Sequence, residues 1–409
     1  MNTLFSSAFA LRLTSVSVIA LLALNTTACQ RFKKSDNMNE PTPLVQLAND
    51  KTTLNPIFSQ NLSGKSKSFK NKKQTLTQST TAFKTAVDTQ GYISASPDGT
   101  VVATDNNGKT LWQVELKQGL HAGVALDNAQ TFATTVIVAD NLGKLIALDR
   151  ATGNIRWERQ LSSNVLSPAL ISGNRVVALA NNGLIYGLSL QTGDVIWQFG
   201  TQNPSLSVRG SATPILLDTK TAIIPTADGR IHALNIDNGS PLWSRRVSMS
   251  VGASEIDRLS DIDATPVFVD NMLYVTTYSG QLVAFDMSSR QLAFVKEIAS
   301  LKSVAVDNSQ VYATTLDGSV VAFDRFTGNE NWQVESLKYR GLSNPIVTSN
   351  YVVVGDKLGY LHSLDKNSGQ IVGRSQSKTD INALTSQPNS KRVIAQSQNG
   401  SFSVWQSVD

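Results

Sequence analysis

The densest group of ionisable side chains in this sequence is Glu255, Asp257, Asp261 and Asp263, gathered around Arg258 in the run Val251 to Asp263. Four carboxylates so close could chelate Ca²⁺. The run lacks the D-x-[DN]-x-[DN]-G spacing with a distant Glu that wraps such an ion, so no metal is expected here. Two readings stay open: a loop network satisfied through Arg258, or a charged face for a partner's Arg or Lys. A second group, Leu206, Val208 and Arg209, lies within Asn203 to Gly210. Leu206 and Val208 alternate with serines and would point the same way in an extended segment. With Arg209 they compose an interface anchor, apolar contact plus a forked donor; alternatively, the two apolar side chains tuck into the fold. The three histidines, His121, His232 and His362, are far apart in the chain, and Cys29 is its single cysteine.

What positions these groups is a repeat. A glycine, an apolar run, an Asp or Asn six residues on and a Trp eight further recur as Gly143–Asp149–Trp157, Gly229–Asn235–Trp243 and Gly318–Asp324–Trp332. Small turns recur with them: Thr152-Gly153, Thr192-Gly193, Asn238-Gly239 and Thr327-Gly328. A fixed period of roughly 40 residues signals a repeat architecture. Each unit reads as four short strands separated by Gly, Asn or Asp turns, which predicts an all-β protein. Strands such as Leu145 to Leu148 and Tyr351 to Val354 are apolar on both faces, as sheets packed on both sides require. A radial propeller provides that packing.

The Trp slot runs through Trp112, Trp157, Trp197, Trp243, Phe294, Trp332 and Gly373. The chain then supplies three strands of another unit, near Ile381 to Thr385, Lys391 to Gln396 and Ser401 to Trp405. Its missing fourth strand is predicted from the other end, because Pro56 to Leu62 reads like Thr110 to Leu116. Residues 54–63 are therefore expected to close an eight-bladed β-propeller of four-stranded antiparallel blades, removing the open edges of an unclosed ring. His232 and His362 share one slot after the repeat glycine, which marks them as repeat positions.

The repeat also serves as a ruler. From the Trp slot to the Pro opening the next blade there are 11 residues after Trp157 and 13 after Trp332, but 17 after Trp197 and 23 after Trp243. The extra residues are the two runs described first. They are consecutive inter-blade connections, which emerge on one face. Long loops on a rigid scaffold commonly carry function.

Outside the repeat, Arg12 precedes the apolar stretch Leu13 to Leu24, too short for a membrane span and suited to an export signal. It runs through Thr26-Thr27-Ala28 into Cys29, as in a bacterial lipoprotein signal. Residues 1–28 are expected to be removed and Cys29 lipidated. With Gln30 following, the anchor is assigned to the outer membrane. Residues 29–53 read as a flexible polar tether and 54–409 as the propeller. The basic loop 64–73 is either solvated or in contact with anionic lipid. With Cys29 used in this way, the fold keeps no thiol for a disulfide, a nucleophile or a metal. The low charged fraction, 16%, and net charge of +5 fit an exported β-rich chain, not a nucleic-acid binder.

The G-x-[apolar]-x-A-[LF]-[DN]…T-G…W repeat is similar to the PQQ-type propeller repeat. With the lipoprotein signal, Ser205 to Gly210 and Ser254 to Asp263, the chain resembles the BamB family of outer-membrane lipoproteins from about Leu54 onward. The resemblance implies a non-enzymatic scaffold of the β-barrel assembly machinery, a monomer within a hetero-oligomeric complex. It would bind the periplasmic POTRA domains of BamA and assist unfolded β-barrel clients into the outer membrane. The matching contact positions are Leu206, Val208, Arg209, Asp261 and Asp263, with Glu255, Asp257 and Arg258 as secondary candidates. Beyond the covalent lipid, no cofactor is implied. The rivals are a generic envelope-binding propeller and a PQQ-dependent dehydrogenase. The latter needs a catalytic carboxylate beside Ca²⁺ and quinone, and commonly a disulfide that this fold has no cysteines to make.

Overall fold

The computed structural model describes residues 40–47, 50–62, 83–127, 133–202, 212–247, 262–277, 279–387 and 390–408. Among them the regular structure is β only, arranged as eight four-stranded antiparallel sheets. The sequence pattern explains each layer of a blade. Middle strands such as Thr135–Ala139 are buried at every position, because a neighbouring blade covers each face. The outermost strand Ile155–Gln160 buries Trp157 alone. Its other side chains face water or the blade rim.

Eight apolar clusters account for the interior, one at each seam between consecutive blades. The last of these joins the final blade to the first, through Tyr92, Val102, Ile394 and Phe402. The ring closes as expected: Leu54–Gln60 pairs antiparallel with Phe402–Ser407, from Leu54 opposite Ser407 to Gln60 opposite Phe402. Phe58 takes the Trp slot of this blade and packs edge-on against Tyr92 and Phe402.

The turn glycine and the repeat Trp form one device. The ring of Trp112 lies flat against the turn of the next blade, where a β-carbon on Gly153 would come within 2.7 Å of it. Gly153 also has φ +75°, a backbone state that glycine adopts without steric cost. The indole N–H groups of Trp112, Trp157, Trp197 and Trp332 then each donate to a carbonyl of that next blade, those of Arg150, Leu190, Ile236 and Lys366, all at 2.8 Å.

Gly373 replaces the Trp in blade seven, and the chain fills the space differently. The Lys51 carbonyl and the Thr53 hydroxyl each lie 2.6 Å from where a Gly373 β-carbon would sit. This corrects the reading of residues 29–53 as a flexible tether, over the part that is described. Thr42 N–H donates to Lys338 O at 3.1 Å and Lys51 N–H to Val372 O at 2.9 Å. Thr53 donates to Ser363 Oγ at 2.8 Å, and Arg374 reaches Val45 O at 3.2 Å. The compact unit accordingly runs from Pro41 and not from Leu54. A polar composition hid this, because most of the bonds use backbone atoms, which every sequence has.

Candidate partner-binding site

The two long connections flank blade four, and their anchor points are fixed. The first leaves the end of blade three at Thr201, whose N–H and hydroxyl both bond to Gly183 O, at 3.0 and 2.7 Å. It returns at the buried Ala212. The second leaves at Val247, whose N–H donates to Gly229 O at 2.8 Å. It returns at Ile262, packed with Val247, Ile231 and Leu273. The two return segments are tied directly, Thr213 N–H donating to Thr265 Oγ1 at 3.2 Å. Antiparallel strands place these connections and the turn between the second and third strands on one end of the ring. The described ends of both connections therefore lie at the same end of the ring as the blade-four turn Thr226 to Arg230.

That turn carries charge at its base. Thr226 donates to Asp228 at 2.5 Å, and Arg230 lies 3.7 Å from the same carboxylate. Beneath it His232 is buried edge-on against Phe199 of blade three, at 5.6 Å between ring centres. Neither ring nitrogen has a hydrogen-bond partner. Burial holds its pKa below the ordinary value against the pull of Asp228, with Arg230 adding to the depression. The imidazole is therefore a neutral packing group at neutral pH.

Of the residues singled out in the sequence, Asp263 is described: it is half-buried beside Ile262 and is not without a partner. Leu206, Val208, Arg209, Glu255, Asp257, Arg258, Asp261 and Cys29 lie outside the described residues. The histidines stay apart as expected, on blades two, four and seven. Among the described residues no group of His, Cys, Asp or Glu is arranged to hold a metal.

Sequence reasoning missed two features. The first is a set of charges at blade seams. Arg150 grips Asp88 of the preceding blade through two bonds, 2.7 and 3.0 Å. Arg340 bonds Asp356 at 2.7 Å and the Thr42 carbonyl at 2.8 Å. His362 bonds the same Asp356 at 3.1 Å. The second is the seam between blades four and five, where a cavity of about 170 Å³ is lined by Trp243, Arg245, Phe285, Met287 and Arg290. Arg290 has φ +59° and stands in the slot that Gly153 fills in blade two. That departure was readable in the sequence, as Ser288-Ser289-Arg290 in place of a Thr-Gly turn.

The geometry can be set beside known proteins. The family model described as "Outer membrane protein assembly factor BamB" matches residues 97–334. This chain belongs to the BamB family. The crystal structure of BamB from Moraxella catarrhalis superposes with a TM-score of 0.78 at 40% identity, covering 86% of this chain and 99% of that one. The BamB of Yersinia pestis is 27% identical over 390 residues, 93% of this chain and 95% of that protein. A quinohemoprotein alcohol dehydrogenase from Pseudomonas putida HK5 shares the propeller with a TM-score of 0.58 at 12% identity. At that identity the likeness speaks for the fold alone. The BamB resemblance thus spans the ring and both segments that flank blade four.

Proposed function

We propose that this chain is a non-enzymatic scaffold lipoprotein of the outer-membrane β-barrel assembly machinery. It binds the POTRA domains of a BamA-type partner through the paired connections around blade four. Leu206 and Val208 supply apolar contact, and Arg209 a forked donor. Asp261 and Asp263 supply negative charge, with Glu255, Asp257 and Arg258 beside them. Lipid on Cys29 holds the chain at the periplasmic face of the outer membrane, and unfolded β-barrels are its clients.

What supports this reading is that the return ends of both enlarged connections are tied through Thr213 and Thr265, in a ring of the BamB family. Binding needs only a patch held rigidly, and the ring provides the rigidity. Buried apolar and arginine anchors at interface centres commonly contribute about 2 kcal/mol or more each.

Co-purification with a BamA-type POTRA fragment tests the reading. Leu206→Ala with Arg209→Glu should weaken association by at least about thirtyfold while the melting temperature stays within a few degrees. Undiminished association of the folded double variant would remove the site assignment. Cys29→Ser should move the protein from the membrane fraction to the soluble periplasm.

A further inference from the structure

The axial opening of the ring carries charge that the partner site does not use. Lys302 precedes the innermost strand of blade six, Ala305–Val306, yet its ammonium donates to the Asn382 carbonyl of blade eight at 3.3 Å. A side chain can pass from blade six to blade eight only across the mouth of the bore, past blade seven. Its backbone is pinned for this reach: Lys302 O accepts from Thr276 Oγ1 at 2.9 Å, and Lys302 N–H donates to Ser300 Oγ at 3.0 Å. Lys84 enters the same mouth from blade one, two residues before the innermost strand Ala86–Val87. Lys357, on the blade-seven turn, adds like charge to Lys302.

These cations are poorly compensated. Burial, then Lys84 and Lys357, push the Lys302 ammonium down to about 8, and no carboxylate acts on it. Burial likewise lowers Lys84 with no opposite charge offsetting it, and among the described residues its ammonium has no hydrogen-bond or ion-pair partner. An ammonium has three donors, so Lys302 keeps two beyond Asn382 and Lys84 keeps all three. Both lysines are half-buried; withdrawing a cation part-way from water without a counter-charge is costly, and a second cation alongside adds repulsion. A recessed mouth with low-dielectric walls also concentrates the field on whatever anion enters.

We propose that Lys84 and Lys302 form an oxyanion site at the mouth of the bore, taking a phosphate or carboxylate group between the two ammonium ions. Lys357 draws the anion in from the surface. The Asn382 carbonyl holds Lys302 in place through one of its three donors. The site uses none of the residues assigned to the partner, so an anion here is a second ligand.

Calorimetric titration and thermal melting of the full chain, at matched ionic strength in chloride, test this. Inorganic phosphate and acetate are titrated separately, and the one that binds names the group. The binding anion, tenfold above its dissociation constant, should raise the melting temperature by about 2 °C. Lys84→Met, or Lys84→Gln if Met impairs folding, should weaken binding at least tenfold and abolish the shift. Lys109→Met, on the exposed rim, should leave both intact. Without anion, the Lys84 variant should melt no lower than the parent, because one repulsive charge is gone. Failure of both anions to bind, or undiminished binding by the Lys84 variants, would overturn the proposal.

Discussion

Trp243 and Arg290 line one cavity at the blade four–five seam, in the two repeat slots that Trp112 and Gly153 fill between blades one and two. The arginine cannot reproduce the contact. Trp243 is only partly buried and its indole makes no bond to Met287, whereas Trp112 is 8% exposed and bonded to Arg150. Left-handed backbone costs a non-glycine residue about 1 kcal/mol. Arg290→Gly is therefore expected to stabilise the protein by about 0.5–1 kcal/mol, read as a higher urea midpoint at constant slope. A lower midpoint would mean that the Arg290 side chain supports this seam.

Gly373 poses the opposite case. A methyl group there would meet the Lys51 carbonyl and Thr53 at under 3 Å. Gly373→Ala should cost about 1–3 kcal/mol and expose the segment around Lys51 to limited proteolysis. Protease resistance equal to the parent's would show that the docked segment yields without detaching.

Asp88 and Arg150 are both within 2% of full burial. Removing one partner leaves an uncompensated charge, so Arg150→Met should destabilise by about 3–5 kcal/mol. Replacing both, with Asp88→Asn alongside, should recover part of that loss. A double-mutant cycle in chemical denaturation measures the coupling.

Acid should weaken the ring through its histidines. Burial lowers the pKa of His232 and, despite Asp356, of His362. The unfolded chain takes up protons near pH 6.5 while the native histidines resist. The unfolded state then binds more protons, and stability falls as pH drops below that value toward the native pKa values. Burial also pushes the Asp356 carboxyl up, but bonds from His362, Tyr360 N–H and Arg340 outweigh it and hold it low. Its contribution is lost only below about pH 4. His232→Phe should flatten the melting-temperature profile between pH 7 and 5. A profile parallel to the parent's would assign the acid sensitivity elsewhere.

Deleting residues 54–60 should lower the melting temperature by more than about 10 °C. The deletion removes Phe58 and Leu54 and opens a hydrogen-bonded edge along Phe402–Ser407. Partial or full burial of two large side chains alone is worth several kcal/mol. An unchanged melting temperature would mean that the final blade is dispensable.

The ring could be read from the chain because one local rule is written again in each blade. Apolar runs, turn glycines and the Trp eight residues past an Asp or Asn repeat until the count is forced. Closure was legible too, since Pro56 to Leu62 copies an outer strand. The seam charges were not. Arg150 and Arg325 occupy one repeat slot, but the Asp88 and Asp270 they reach lie on the preceding blade, at no fixed sequence cue. Docking of residues 42–47 and 50–53 was invisible for a different reason: its bonds are mainly to backbone, and its vacancy is the absence of a ring at Gly373. In the candidate site the repeat located the two connections by length. Lengths carry no side-chain geometry, so the roles of Leu206, Val208 and Arg209 rest on resemblance.

Blades one to seven are each cut from one continuous stretch of chain, so each can assemble as soon as its own residues are present. The eighth cannot. Its outer strand arrives with Leu54, and the strand it pairs with arrives last; Leu62 N–H waits for a hydroxyl, that of Ser401, 339 residues away. Emergence order thus makes ring closure the final folding event, with the highest loop-closure cost. Until then one blade edge stays open, and the ring remains an unlatched arc until its last strand is made.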